Sequence, residues 1–200
     1  MTAKSFPIPN FRAWRAVVLH RPSPAADGVL RQLERLGIEA RQLWPELEPA
    51  PPGPDVVFFD ADMGYDGQFP WPIGEPPVPL VALVGSEAPG RLEWVLGQGA
   101  TAHLMKPVQS GGVYSALVVA CHGFALRRAL DREIGDLRGR LRRRPRVARA
   151  LAGVMTAHGI DETEAMRRIR AAAMERRQTI EDYCDGLLAG RGARAAGREA

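Results

Sequence analysis

Short apolar runs, separated by segments with helical spacing, dominate the first half of this 200-residue chain. Four of these runs are typical of buried strands: RAVVLH (Arg15 to His20), DVVFFD (Asp55 to Asp60), LVALV (Leu80 to Val84) and AHLM (Ala102 to Met105). IEARQL, at 38–43, alternates apolar and polar residues as an edge strand does. Helices are expected at 25–36 and 91–99. Strands and helices alternating in units of this size predict an α/β fold with a doubly wound, flavodoxin-like parallel sheet.

Two segments of this half depart from the pattern. Between Met63 and Pro79, where a crossover helix is expected, the sequence has five prolines and three glycines. A helix does not tolerate this density of breakers, so the crossover is predicted to be irregular. Residues 1–13 show no periodicity and include two prolines, which predicts a loose lead-in.

The apolar spacing becomes helical from Val113 onward. A helix from Val113 to Phe124 is expected to pack on the sheet. Beyond it, four apolar residues follow at spacings of four, three and four, namely Leu130, Ile134, Leu137 and Leu141. This seam predicts a long connecting helix that pairs with a second copy as a coiled coil. The alternative is a single amphipathic helix packed within its own chain.

The C-terminal third predicts three short helices. Pro145 suits a helix start, Gly159 a left-handed C-terminal cap, and Asp161 with Glu164 a reciprocal capping box. Thr179 is expected to cap the third helix. Arg144 precedes a proline, so a hinge is expected there.

These boundaries divide the chain into four parts. They are a sheet domain at 14–124, a coiled-coil connector at 125–145, a three-helix bundle at 146–190 and a disordered tail at 191–200. The third helix is expected to end at Gly190, because the residues beyond it are small, polar and rich in glycine.

Charge is distributed unevenly between these parts. Residues 1–126 have a balance of −3, whereas residues 127–200 have a balance of +7. A basic C-terminal third indicates a polyanionic partner for that end, although a solvated basic face is the plainer interpretation. The run LRRRPRVAR (141–149) has three possible interpretations: an RNA contact, a DNA contact or simply the hinge.

The apolar and basic positions of the bundle resemble those of the ANTAR domain. The positions that carry the resemblance are Val147, Ala150, Met155, Gly159, Ala165, Ile169, Arg170, Ala173, Met174, Arg177, Ile180, Cys184 and Leu188. The chain departs from the family at Leu151, where many members have a lysine, at Gly153 and at Cys184. The resemblance implies an RNA-binding protein that recognises hairpins in a nascent leader transcript and prevents termination of transcription. We expect the RNA-contacting surface at Arg149, Arg170, Ala173, Met174, Arg177 and Tyr183. A methionine at the position of Met174 is more often a core residue than a contact, and Tyr183 could equally be either.

The sheet domain resembles the receiver domains of response regulators. Asp60 stands where receivers are phosphorylated, and Lys106-Pro107 matches their lysine after the fifth strand. The acidic pair that holds Mg²⁺ is replaced by His20 and Arg21, and Val84 stands where receivers have Ser or Thr. Phosphoryl transfer requires a divalent cation to neutralise developing charge. The resemblance therefore implies a pseudo-receiver in which Asp60 and Lys106 remain as a structural ion pair without phosphorylation.

Several classes of protein are disfavoured by the composition. Cys121 and Cys184 match no metal-ligand spacing, and the four histidines are scattered, so no metal site or other cofactor is expected. No nucleophile and base fall together, so the protein is not expected to be an enzyme. The N-terminus does not read as a signal peptide, and no run approaches the length of a membrane span. We therefore expect a cytoplasmic protein without a membrane partner.

The leading hypothesis is a transcription antiterminator that binds RNA as a homodimer. The resemblance implies control by a ligand-sensing protein partner rather than by phosphorylation. Two alternatives are a phosphorylation-controlled response regulator that binds DNA and a non-catalytic protein-interaction module.

Overall fold

The computed structural model describes residues 7–49 and 51–196, with the side chains of 140 and 191–196 excepted. The chain forms two compact units, Met1–Ala129 and Leu130–Ala200. Each unit is described by itself below.

The first unit contains a five-stranded parallel sheet in the order β2-β1-β3-β4-β5. The strands are β1 (Arg15–Leu19), β2 (Glu39–Leu43), β3 (Val56–Asp60), β4 (Leu80–Val84) and β5 (Ala102–Met105). Every neighbouring pair is parallel; Val18 of β1, for example, is in register with Phe58 of β3. The structure confirms the predicted receiver-like α/β fold, with β2 as an edge strand.

Three helices follow the strands in this unit: α1 (Pro24–Arg35), α2 (Pro89–Gly97) and the beginning of α3 (Val113–His158). Successive strand residues point to opposite faces of the sheet, so each face has its own apolar cluster. On one face, Val18 and Phe58 pack with Leu33 of α1 and Leu117 of α3. On the other, Phe59 packs with Val95 of α2 and with part of the irregular crossover.

The crossover between β3 and β4 is irregular, as its prolines and glycines predict. It is nevertheless closely packed, because Phe69 lies edge-on to Phe59 with 5.3 Å between ring centroids and stacks on Trp71. The prediction of a loose lead-in is wrong for residues 11–13. Phe11 is 5% exposed in the core, and the backbone N–H of Ala13 donates to the carbonyl of Gly37 at 2.9 Å. Residues 1–6 lie outside the described part of the chain.

Helix α3 runs from Val113 to His158 with Pro145 in its interior, so the predicted helix start and hinge at Pro145 are wrong. A proline removes one helical hydrogen bond, at a cost of about 3 kcal/mol. The arginines on either side of it favour the helix, and Ala150 and Leu151, one turn further on, are held in the core of the second unit. Local propensity and tertiary packing thus outweigh a single breaker.

By length and composition alone, α3 is apolar enough to cross a membrane, contrary to the expectation from sequence. Its first turns owe this composition to the sheet, because Val113, Leu117 and Ala120 are fully buried in the core of the first unit. The sheet thus accounts for the apolar side chains of these first turns.

The second unit contains the end of α3 with α4 (Glu162–Glu175) and α5 (Ile180–Ala196). These helices share a core of Ala150, Leu151, Ala165, Ile169 and Cys184. The predicted order of three helices is confirmed.

The helix ends in this unit have the predicted capping residues. Gly159 has a φ of 62°, and the Asp161 carboxylate accepts from the backbone N–H of Glu164 at 2.8 Å. The Thr179 hydroxyl accepts from the N–H of Asp182 at 3.1 Å. The Glu164 carboxylate, expected to complete the capping box, is bound by Arg167 and Arg168.

The expected end of the last helix at Gly190, and with it the disordered tail, is wrong for 191–196, which continue α5. A helical glycine costs only about 1 kcal/mol, and the alanines and arginines around it favour the helix. Residues 197–200 lie outside the described part of the chain.

Two leucines of α3 allow a matched test of the sheet core. Leu117 is fully buried, whereas Leu126 is 54% exposed. Leu117→Ala is expected to lower the free energy of unfolding by about 3 kcal/mol, because it leaves a cavity against the sheet. Leu126→Ala is expected to change it by less than about 0.5 kcal/mol. Urea unfolding followed by circular dichroism measures both, and equal effects would contradict the described packing.

Candidate functional site

A charged cluster lies at the carboxyl ends of the parallel strands in the first unit. The Nζ atom of Lys106, just after β5, lies 2.7 Å from Oδ1 of Asp60 and 2.7 Å from Oδ2 of Asp62. His20, just after β1, places its Nε2 atom 3.3 Å from Oδ2 of Asp60. The structure thus brings together Asp60 and Lys106, as the sequence predicts, and adds two further members.

The Asp60 side chain is 1% exposed, and its carboxylate has three neighbouring groups within the cluster. Besides Lys106 and His20, the backbone N–H of Asp62 donates to its Oδ1 atom at 3.0 Å. The His20 ring is fixed from its other nitrogen, because Nδ1 lies 2.6 Å from the carbonyl oxygen of Arg21 and donates to it. Asp60 is therefore a buried structural anion, and no side chain of the cluster adds the acidic pair that a Mg²⁺ ion would need.

Asp62 belongs to the cluster but is not among the site residues expected from the sequence. Burial acts to raise the pKa of Asp62, but hydrogen bonds from Lys106 and from the backbone N–H of Gly85 outweigh it, so the pKa is lowered. Asp62 is therefore ionised at neutral pH. The sequence feature that could have indicated this role is the position of Asp62, two residues after the aspartate that ends β3.

The basic surface of the second unit has two kinds of arginine. Four of them face carboxylates: Arg143 and Arg146 of α3 pair with Asp182 and Asp185 of α5, and Arg167 and Arg168 pair with Glu164. The distances are 2.7 to 2.8 Å. Hydrogen bonds from Arg167 and then Arg168 lower the pKa of Glu164 to about 2. Three carboxylates thus bind these four arginines, with Glu164 shared by Arg167 and Arg168.

Arg149, Arg170 and Arg177 belong to the second kind. All three are exposed, and within the described residues none has a carboxylate partner. Arg170 and Met174 are one turn apart on α4, and Met174 is 78% exposed. Arg177 follows just beyond the end of the helix. Charge and an apolar side chain therefore lie together on this face.

Two residues of the predicted RNA-contacting surface are placed differently. Ala173 is 2% exposed, so it does not reach the surface. Its spacing fits the buried stripe with Ala165 and Ile169. Tyr183 is partly buried, with the guanidinium of Arg176 5.3 Å from its ring centroid.

Arg177 has a left-handed backbone conformation, with a φ of 53°. The N–H of Arg177 donates to the carbonyl of Met174 at 3.0 Å, and the N–H of Gln178 to that of Ala173 at 2.9 Å. This pair of bonds is a Schellman motif, in which glycine is the preferred residue at the left-handed position. An arginine there is mildly strained, and such strain often marks a functional side chain.

Comparisons with known families match both units of the chain. The family described as "AmiR, N-terminal" matches residues 14–121, and the ANTAR domain family matches residues 135–188. With the parallel sheet and the helical unit, these matches define the class of protein: a transcriptional regulator that joins a receiver-like domain to an ANTAR domain. The chain belongs to the AmiR-type family of ANTAR regulators.

Individual relatives agree with this assignment. The aliphatic amidase regulator of Pseudomonas aeruginosa is 30% identical over 94% of this chain and 97% of its own. The transcriptional regulatory protein PdtaR of Mycobacterium tuberculosis is 33% identical over 55% of this chain and 54% of its own.

Among solved structures, the response regulator StyR has a TM-score of 0.47 at 17% identity, covering 89% of this chain and 100% of StyR. The first receiver domain of ShkA has a TM-score of 0.40 at 20% identity, covering 56% of this chain and 95% of that one.

The buried Asp60–Lys106 pair is open to a direct test. Lys106→Ala is expected to lower the free energy of unfolding by about 3 kcal/mol, because it leaves the Asp60 carboxylate buried without its cation. Arg21→Ala, at an exposed position beside the cluster, is the control and is expected to have little effect. Urea unfolding at pH 7 measures both, and equal losses would contradict the structural role of the pair.

Proposed function

We propose that this chain is a transcription antiterminator that binds hairpins in a nascent leader transcript. Bound at the hairpin loops, it prevents a terminator stem from forming. The observation that carries the proposal is the set of exposed arginines without carboxylate partners, Arg149, Arg170 and Arg177, on a unit of the ANTAR family. A guanidinium both stacks on unpaired bases and forms bidentate hydrogen bonds with phosphate, which suits RNA loops.

The role is regulatory and not catalytic, and it is carried out in the cytoplasm. The pseudo-receiver does not depend on phosphorylation, because Asp60 is held by Lys106 and His20 and, within the described part of the chain, no group of side chains that could hold a metal ion accompanies it. This disfavours the alternative of a phosphorylation-controlled DNA-binding regulator. The remaining alternative, a protein-interaction module, predicts no affinity for nucleic acid.

The arginine surface is tested by titration with a pair of short RNA hairpins from the leader upstream of its own operon. Arg170→Ala is expected to weaken binding about tenfold or more, because it removes a cation that no carboxylate neutralises. Arg167→Ala is the matched control, since Glu164 already balances that arginine, and its effect is expected to be small. Fluorescence anisotropy measures both, and circular dichroism checks the fold.

Duplex DNA of the same sequence is the nucleic-acid control. Equal and steeply salt-dependent affinity for RNA and DNA would mean that the surface is only a general polyanion site. Binding to neither would favour the protein-interaction module.

Arg177 offers a variant in which stability and binding move in opposite directions. Arg177→Gly relieves the left-handed backbone and is expected to raise the free energy of unfolding by up to about 1 kcal/mol. The same change removes the guanidinium and is expected to weaken RNA binding. A variant that is more stable yet binds RNA like the unmodified chain would show that Arg177 has no part in recognition.

The seam of α3 supports a homodimer. Leu130, Ile134, Leu137 and Leu141 are 44 to 55% exposed, at coiled-coil spacing, on a helix that continues through them. Two copies of the ANTAR unit would bind two hairpins at once and so raise the effective concentration of the second. We also propose that a ligand-sensing protein holds this dimer inactive until its small molecule binds.

Light scattering tests both assemblies. The unmodified chain is expected to have the mass of a dimer and Leu137→Glu that of a monomer, because a buried charge disrupts the seam. Arg138→Glu, the adjacent and exposed position, is the control and is expected to remain dimeric. A candidate sensor that forms no complex, with or without its ligand, would count against the proposed partner.

A further inference from the structure

The Asp62 carboxylate lies in a corner formed by the ends of three strands. Asp62 follows β3, Gly85 follows β4 and Lys106 follows β5. The backbone N–H of Gly85 donates to both carboxylate oxygens, at 3.0 Å and 2.9 Å, and the ammonium of Lys106 is 2.7 Å from Oδ2. An ammonium and a backbone N–H that converge on oxygen atoms are the donors of a phosphate or sulfate site.

Gly85 has no side chain, and the position of the Asp62 carboxylate requires this. A Cβ atom added to Gly85 would lie 2.6 Å from Oδ2 of Asp62 and 3.3 Å from its Cγ. Any side chain there would displace the carboxylate. The small residue thus leaves room for the Asp62 carboxylate above the backbone N–H of position 85.

The charges around the corner favour an anion there. Arg91 of α2 attracts the Asp62 carboxylate in addition to Lys106. The Asp60 carboxylate beside it is already shared between Lys106 and His20. The side chain of Asp62 is 32% exposed, so this corner is open to solvent ions of similar size.

We propose that Asp62 is an internal occupant of an oxyanion site formed by the Lys106 ammonium and the Gly85 amide. The carboxylate holds the ends of β3, β4 and β5 in the arrangement that a bound phosphate-like ion would impose, and it excludes such an ion from solution. The first unit is thereby fixed in one state without covalent modification. This inference is independent of RNA binding.

The test replaces the Asp62 carboxylate by a substitution and then adds inorganic phosphate. Asp62→Ala in the full chain is expected to speed hydrogen exchange of the Gly85 amide by about tenfold or more, because its acceptor is lost. Inorganic phosphate in the millimolar range is then expected to slow that exchange again and to raise the Tm. Potassium chloride at matched ionic strength is expected to do neither. The unmodified chain is expected not to respond to phosphate.

Glu87→Ala is the matched control, since it removes an exposed carboxylate from the same loop without touching the corner. It is expected to behave like the unmodified chain. If Asp62→Ala does not unfold cooperatively, Asp62→Asn takes its place: phosphate must then raise its Tm more than chloride does. The proposal is overturned if phosphate acts equally on the unmodified chain, or if neither Asp62 variant responds to it. Unchanged exchange of the Gly85 amide in Asp62→Ala would overturn it as well.

Discussion

The ammonium of Lys106 is the contact on which the carboxyl edge of the sheet depends. It lies 2.7 Å from the carboxylates of both Asp60 and Asp62, which come from one segment, while Lys106 itself follows β5. Asp60 is so deeply buried that its charge would be unfavourable by several kcal/mol without a cation. Because β4 lies between β3 and β5, the ion cluster can form only when all three strands are in register.

The two units use charge in opposite ways. In the sheet unit, one ammonium, that of Lys106, is shared by the carboxylates of Asp60 and Asp62, and His20 occupies a place where the resemblance to receivers would put a carboxylate. In the helical unit, Asp182, Asp185 and Glu164 balance some arginines, and others are left to the solvent. A count of basic residues therefore overstates the positive surface, and the positions of the carboxylates decide which arginines can meet a polyanion.

The sheet could be predicted from the sequence because buried strands and glycine-rich turns are local signals. RAVVL and LVALV are typical of strands covered on both faces of a parallel sheet, and the caps at Gly159, Asp161 and Thr179 are set by neighbours a few residues away. The continuity of α3 through Pro145 could not be predicted in this way, because packing at Ala150 and Leu151 opposes the local preference.

The same limit applies to the candidate site. Asp60, at the end of β3, and Lys106, just after β5, were identified from the resemblance to receiver domains. The part played by Asp62 depends on the approach of Gly85, a contact that no spacing in the sequence reveals. Ala173 and Met174 show the limit again at single residues: adjacent in sequence, one is buried and the other is 78% exposed.

The shared helix α3 has a consequence for synthesis of the chain. Its first turns complete the core of the sheet unit, and its last turns begin the core of the helical unit. On the ribosome, the face of the sheet that α1 and α3 share stays partly uncovered until residues up to Cys121 have emerged. Since domains generally fold as units from the N-terminus, the ANTAR unit assembles last. A nascent chain would thus acquire its receiver-like domain before it has any arginine surface with which to hold RNA.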